Sequence, residues 1–122
     1  MRIARTSETA LEPMASDTFS GTVRRRDLGR IGAPDGAALA VSFEPGARTY
    51  WHRHSHGQVL YVIDGTARVG TRDGEVAAVR PGDLVEAPPG EEHWHGAAED
   101  APMTHVALSF GETIWLERVS DD

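Results

Sequence analysis

The chain contains no cysteine, no lysine and no asparagine, and its single glutamine is Gln58. The absence of cysteine excludes disulfides, iron–sulfur clusters, thiolate zinc sites and cysteine nucleophiles. The absence of lysine excludes Schiff-base chemistry and a covalently held pyridoxal cofactor. All twelve cationic side chains are arginine, outnumbered by nineteen carboxylates, for a formal charge of −7. That balance argues against nucleic acid and anionic membrane surfaces, which are bound by clustered cations that neutralise phosphates. The one basic cluster, Arg24-Arg25-Arg26, is followed by Asp27 and reads as a solvated strand or loop face. No run is long and apolar enough for a membrane span, and "MRIARTSETALEPMASDTF" lacks the apolar stretch of a signal peptide. A cytoplasmic protein that touches neither membrane nor nucleic acid is expected. No G-x-S-x-G is present either, so Ser109 reads as a strand residue rather than a nucleophile.

What remains is β-type. At 122 residues the length fits one domain, able to bury roughly two-thirds of its unfolded surface. Residues 1–20 are polar and weakly patterned and read as an N-terminal arm; residues 21–122 read as one β-barrel domain. In that domain "ALAVSF", "RTYWHRH", "QVLYVI", "TARVGT", "EVAAV", "DLVEA", "EHWHG" and "THVALSF" are strand-length and carry no helical period. Pro45-Gly46, Asp64-Gly65, Asp73-Gly74 and Pro81-Gly82 supply turn chemistry between them. Many short strands with frequent turns predict an all-β antiparallel sandwich or barrel.

All six histidines fall between positions 52 and 105. Strand side chains alternate faces, so His52 and His54 point one way with Arg53 opposite, and His93 and His95 share a face with Trp94 opposite. Met103, His105, Ala107 and Ser109 share a face of their own strand by the same parity. Neutral imidazole is the commonest metal ligand, and two His-x-His pairs presented to one cavity supply most of a coordination shell. His56 shares the parity of His52 and His54 but precedes Gly57, where the chain turns; it is expected at the cavity mouth and off the metal.

Residues 46–65 read Gly46, five residues, His52-x-His54, three residues, Gln58, six residues, Gly65. Residues 82–97 read Gly82, five residues, Pro88-x-Gly90, two residues, His93, three residues, Ala97. In spacing and order this resembles the paired motifs of the cupin superfamily, with glutamine in place of the usual glutamate and alanine in place of the final asparagine. The resemblance spans residues 37–110 and implies a single-domain jelly-roll β-barrel. It also implies one divalent metal ion per chain, held by His52, His54, Gln58 and His93. Losing a carboxylate ligand leaves the ion more of its charge and makes it a stronger Lewis acid.

Within the superfamily, "FEPGARTYWHRH", "GQVL", "PPGEEHWHGA" and "PMTH" are similar to small bacterial cupins that include manganese-dependent hydroxynitrile lyases. This likeness implies manganese as the ion, with iron, nickel or zinc as the other metals that suit three imidazoles and an amide. It also implies His95 and His105 beside the metal, His105 as general base and His95 as hydrogen-bond donor to a small-molecule substrate. Val41 and Leu60 are candidates for the wall of an aldehyde pocket. Cleavage of a cyanohydrin to aldehyde and cyanide is the expected reaction. Two other functions use the same fold: an oxygenase, disfavoured because the facial triad needs a carboxylate, and a non-catalytic barrel that binds a small molecule. A homodimer is expected by resemblance and from the loosely patterned arm.

Overall fold

A computed structural model describes residues 1–32 and 35–120. Apart from a 3-10 turn over Thr6–Glu8, the regular elements among these residues are strands. In chain order they are β1 (Glu12–Pro13), β2 (Phe19–Ser20), β3 (Val23–Ile31), β4 (Gly36–Phe43), β5 (Arg48–Thr49), β6 (His52–His54), β7 (Gln58–Gly65), β8 (Ala67–Thr71), β9 (Val76–Val79), β10 (Leu84–Ala87), β11 (His93–Ala97), β12 (Met103–Phe110) and β13 (Thr113–Trp115). They form two antiparallel sheets, as a jelly roll requires. One runs β1-β3-β4-β12-β7-β10; the other runs β13-β6-β11-β5-β2, with β8 on β11 and β9 on β8. No helix among the described residues is long and apolar enough to cross a membrane.

Alternation decides which residues enter the space between the sheets. In β12, Met103, His105 and Ala107 are buried while Thr104, Val106 and Leu108 are only half-buried, the period-2 pattern of a strand covered on one face. The core is built from Phe19, Val23, Val41, Phe43, Val62 and Met103 with small partners Ala47, Ala67 and Ala97. Full burial of each of the larger side chains contributes about 1.5–3 kcal/mol. Phe43 closes this core toward the histidines, its ring 6.0 Å from that of His95 and 5.3 Å from that of His105.

"RTYWHRH" does not run as one strand. Tyr50 N–H donates to Thr18 O, Trp51 N–H donates to Glu117 O, and Leu116 N–H returns to Trp51 O. The backbone at residues 50–51 is thus claimed by segments from both ends of the chain, which splits the run into β5 and β6. Gly96 permits the close packing of β11 on β5, because a Cβ there would overlap the Ala47 carbonyl and Arg48. The second half of the expected arm is anchored: β1 pairs with β3, β2 pairs with β5, and Phe19 joins the core. Arg24-Arg25-Arg26 lies in β3, near the edge of the first sheet.

Candidate metal centre

β6 and β11 are neighbours in one sheet, with His93 directly opposite His52. Shared parity then turns His52, His54, His93 and His95 to one side. Their rings crowd together: centroids lie 4.4 Å apart for His52 and His93, 5.0 Å for His52 and His54, and 5.1 Å for His52 and His95. From the facing sheet β12 brings His105, whose ring centre is 4.9 Å from that of His95, and β7 brings Gln58. A cavity of about 150 Å³ is lined by His52, His54, Gln58, His95 and His105 on its polar side and by Leu39, Val41 and Ala107 among its apolar walls. A larger open groove of about 590 Å³ elsewhere, bordered by Arg48, Arg68 and Trp94, includes no histidine. The histidines converge on the smaller cavity.

Hydrogen bonds fix where the lone pairs point. His52 Nδ1 lies 2.9 Å from Tyr50 O, an acceptor, so the neutral ring carries its proton there and Nε2 is a free lone pair. His93 Nδ1 lies 3.1 Å from Glu91 O, while its Nε2 lies 2.9 Å from Gln58 Oε1. Both neighbours are acceptors and a neutral ring has one proton, so one of the two contacts sets lone pair against lone pair. Gln58 Nε2 donates to Ser109 Oγ at 3.0 Å, which turns Oε1 toward His93. A cation resolves the conflict, because two donor atoms about 2.9 Å apart fit adjacent positions on an ion bound at ~2.1 Å. Two more ring nitrogens, His54 Nε2 and His95 Nε2, are buried without a hydrogen-bond partner. Buried polar atoms ordinarily have one. The residues present therefore fit a divalent metal.

Among the described residues, the group whose donor atoms all lie within 4.8 Å of one another is His52, His93 and His95. Three buried histidines are thus positioned to bind a metal ion. Of the residues singled out from sequence, His52, His54, Gln58, His93, His95 and His105 all come together here, and the geometric triplet contains His95 where the motif pattern has His54. His54 stands next to it, with Nδ1 3.0 Å from Thr113 Oγ1. His56 does not line the cavity: it is exposed in a surface recess with Arg30 and Asp35, its Nδ1 2.7 Å from Asp35 Oδ2. Val41 lines the cavity; Leu60 is buried but does not. Sequence reasoning missed Phe19, Thr113 and Trp115, which also line it. Trp115 lies 4.7 Å from the His52 ring and 5.5 Å from Phe19 between ring centres. The three-residue strand that carries it offers no periodicity to read.

Burial keeps this cluster neutral. It holds His52 down to about 3, helped by His93 and His54, and His105 down to about 4. Burial, then the neighbouring His93, holds His54 down to about 4. Desolvation also lowers His93, and it lowers His95 well below the ordinary imidazole value. An unfolded histidine titrates near 6.5, so between there and about 4 the unfolded chain binds protons that the folded chain refuses. The stability from these groups is fully present above about pH 6.5 and is lost as pH falls toward 3–4. Thermal melts of the metal-free protein should hold steady near pH 7–8 and fall between about 6.5 and 5, before most carboxylates titrate. A melting temperature unchanged across that interval would contradict the neutral cluster.

A family model described as a cupin domain matches residues 39–109. An (R)-mandelonitrile lyase from Granulicella tundricola is 43% identical over 129 aligned positions, covering 100% of this chain and 97% of the relative. A crystal structure of a cupin-like protein from Thermotoga maritima superposes with a TM-score of 0.86 at 36% identity, covering 93% of this chain and 91% of that one. A polyketide cyclase from Streptomyces resistomycificus shares the fold at 20% identity, with a TM-score of 0.80 over 100% of this chain and 89% of its own.

Proposed function

The chain belongs to the cupin family, and on that premise we propose that it is a metal-dependent hydroxynitrile lyase, cleaving cyanohydrins of small aldehydes to the aldehyde and cyanide. One observation carries this reading. A pair of buried imidazoles, His95 and His105, is hydrogen-bonded to each other at 3.1 Å beside a carboxylate-free cluster of histidines and an apolar wall. The full-length likeness to an (R)-mandelonitrile lyase supports it.

We assign the ion to His52, His54, Gln58 and His93, with manganese favoured by its preference for carbonyl oxygen at Gln58. When bound, it would supply Lewis-acid stabilisation of negative charge. The remaining work falls to the chain. His105 donates from Nε2 to His95 Nδ1, which leaves His105 Nδ1, buried without a partner, as a lone pair able to take the cyanohydrin hydroxyl proton. The same tautomers leave His95 Nε2–H to donate to the substrate oxygen. As the proton leaves, the oxygen forms a carbonyl, the carbon–carbon bond breaks, and its electron pair departs with cyanide. His105 then returns the proton to give hydrogen cyanide and the neutral base. Leu39, Val41 and Ala107 seat the organic substituent, and their apolar wall excludes water. With a pKa near 4, His105 is unprotonated throughout the neutral range, at the cost of basicity.

The direct test is protein reconstituted with manganese and assayed for benzaldehyde release from mandelonitrile, with smaller aliphatic cyanohydrins beside it. Turnover abolished by chelation is expected. No turnover on any member of the panel would leave the reading without support, and oxygen uptake by an iron-loaded sample would replace it with a dioxygenase.

A further inference from the structure

We infer that Arg72, on the turn after β8 and outside the cavity, is a positioning residue for the metal centre. Its guanidinium clamps together, from the outer face of the sheet, the strands that carry His52, His54 and His93. The inference rests on the ligand assignment above and on no step of the proposed reaction.

The backbone shows why a clamp is needed. The three histidines come from β6 and β11, whose register holds a single pair, His93 with His52. By contrast β11 meets β8 over five pairs, and β6 meets β13 over three. The ladder thus divides the site into two halves, β13 with β6 and β11 with β8, joined at one residue. Ligand geometry has to be held to within about 0.5 Å, and a single backbone pair resists hinging between the halves poorly.

Arg72 spans that joint. Thr71, the residue before it, pairs with His93, so Arg72 starts from the β11 half. Its Nε donates at 2.8 Å to Oε1 of Glu92, which immediately precedes His93. Its Nη1 and Nη2 donate to the two carboxylate oxygens of Glu117 at 3.1 and 2.9 Å. The backbone carbonyl of Glu117 accepts from the N–H of Trp51, the residue before His52. The guanidinium also lies 3.9 Å from the centre of a Trp51 ring. Arg53, whose parity turns it away from His52 and His54, adds a contact from Nη1 to Glu92 Oε2 at 3.5 Å. One planar fork therefore reaches the residue in front of each half's leading histidine. With the Arg72 and Glu117 side chains 41% and 63% exposed, either ion pair alone would contribute little. The fork matters because it is bidentate, stacked on an indole and shared by three segments.

Metal affinity reads this role directly, through competition of zinc with a chromophoric chelator and through the electron paramagnetic resonance signal of free manganese. Arg72→Met keeps an apolar stem over Trp51 and discards the charge. It should bind both ions roughly tenfold more weakly, the scale of a lost support behind a ligand, with an unchanged far-ultraviolet circular dichroism spectrum. Removing a cation from a chain of formal charge −7 should by itself favour cation binding. Arg80→Met, at an exposed site on the turn before β10, should therefore bind as tightly as the parent or tighter. Arg72→Lys keeps the charge without the fork and should recover part of the loss. In molar sodium chloride the gap between parent and Arg72→Met should narrow, because these pairs are exposed. A parent chain that binds neither ion removes the metal centre, and this role with it. Given a parent that binds, any of four results overturns the clamp and leaves the metal centre standing: parental affinity in Arg72→Met, an equal loss in Arg80→Met, no recovery with lysine, or a gap that salt leaves unchanged.

Discussion

Replacing His105 with alanine should lower cyanohydrin cleavage by roughly 10²-fold or more while leaving the bound metal and the fold in place, the size of effect usual for a lost general base. His105 reaches the site from β12, in the sheet opposite β6 and β11, so it can be removed without touching the strands that carry the other four buried histidines. Its Nε2 contact with His95 lies outside the assigned ligand set. The cavity opened by truncation is bounded by Phe43, 5.3 Å away between ring centres, and some loss of thermal stability is expected from it. That loss is separable from chemistry, because metal content is read at a temperature where both proteins are folded. Two results would remove His105 from the role of base: metal lost along with activity, or mandelonitrile cleaved at the parent rate.

The second large effect separates the two ligand sets that the geometry brings side by side. His54→Ala should abolish metal binding, whereas His95→Ala should keep the metal and lose turnover. The argument is one of free lone pairs. His54 Nδ1 has Thr113 Oγ1 as partner and its Nε2 has none, so a neutral His54 can offer Nε2 to the cluster while its proton sits on the threonine side. His95 Nδ1 already faces His105, and accepting a hydrogen bond there from His105 leaves the single proton of neutral His95 on Nε2, where it is a donor and not a ligand. The arrangement reverses if His105 accepts from His95, which then has Nε2 free to ligate alongside His52 and His93. Elemental analysis of the two variants distinguishes these tautomers. Metal retained by His54→Ala and lost by His95→Ala would establish the His52, His93 and His95 triplet and withdraw His95 from contact with the substrate as a donor. Losing one ligand commonly costs far more than the 10–100-fold in affinity seen when a supporting hydrogen bond is removed.

Much of the site was legible because strand parity is strict. His52 with His54, His93 with His95, and His105 with Ala107 each had to share a face, and each does. Register across strands was not legible: that His93 sits opposite His52, which makes theirs the tightest ring pair in the cluster, depends on how β6 and β11 align, and no local pattern encodes it. The break at Tyr50 and Trp51 was invisible for a related reason, since the groups that claim those backbone positions come from Thr18 and Glu117, at opposite ends of the chain. Trp115 and Thr113 were missed because a strand of three residues is shorter than any period, and its place beside β6 is set by pairing alone. His56 was expected at the cavity mouth by parity, but β6 ends at His54, and the turn that follows places His56 in the surface recess beside Asp35.

Gln58, held between Ser109 and His93, has a further consequence for how the protein can be observed. Turning its carboxamide over would let Nε2 donate to His93 and Oε1 accept from Ser109, so this one group is expected to respond to an ion entering the site. Because the chain has no asparagine and no second glutamine, a nitrogen-15 correlation spectrum contains a single side-chain carboxamide pair, and that pair belongs to a proposed metal ligand. Titration with a diamagnetic ion such as zinc should move it, and a paramagnetic one such as manganese should broaden it away, without isotopic editing or an introduced label.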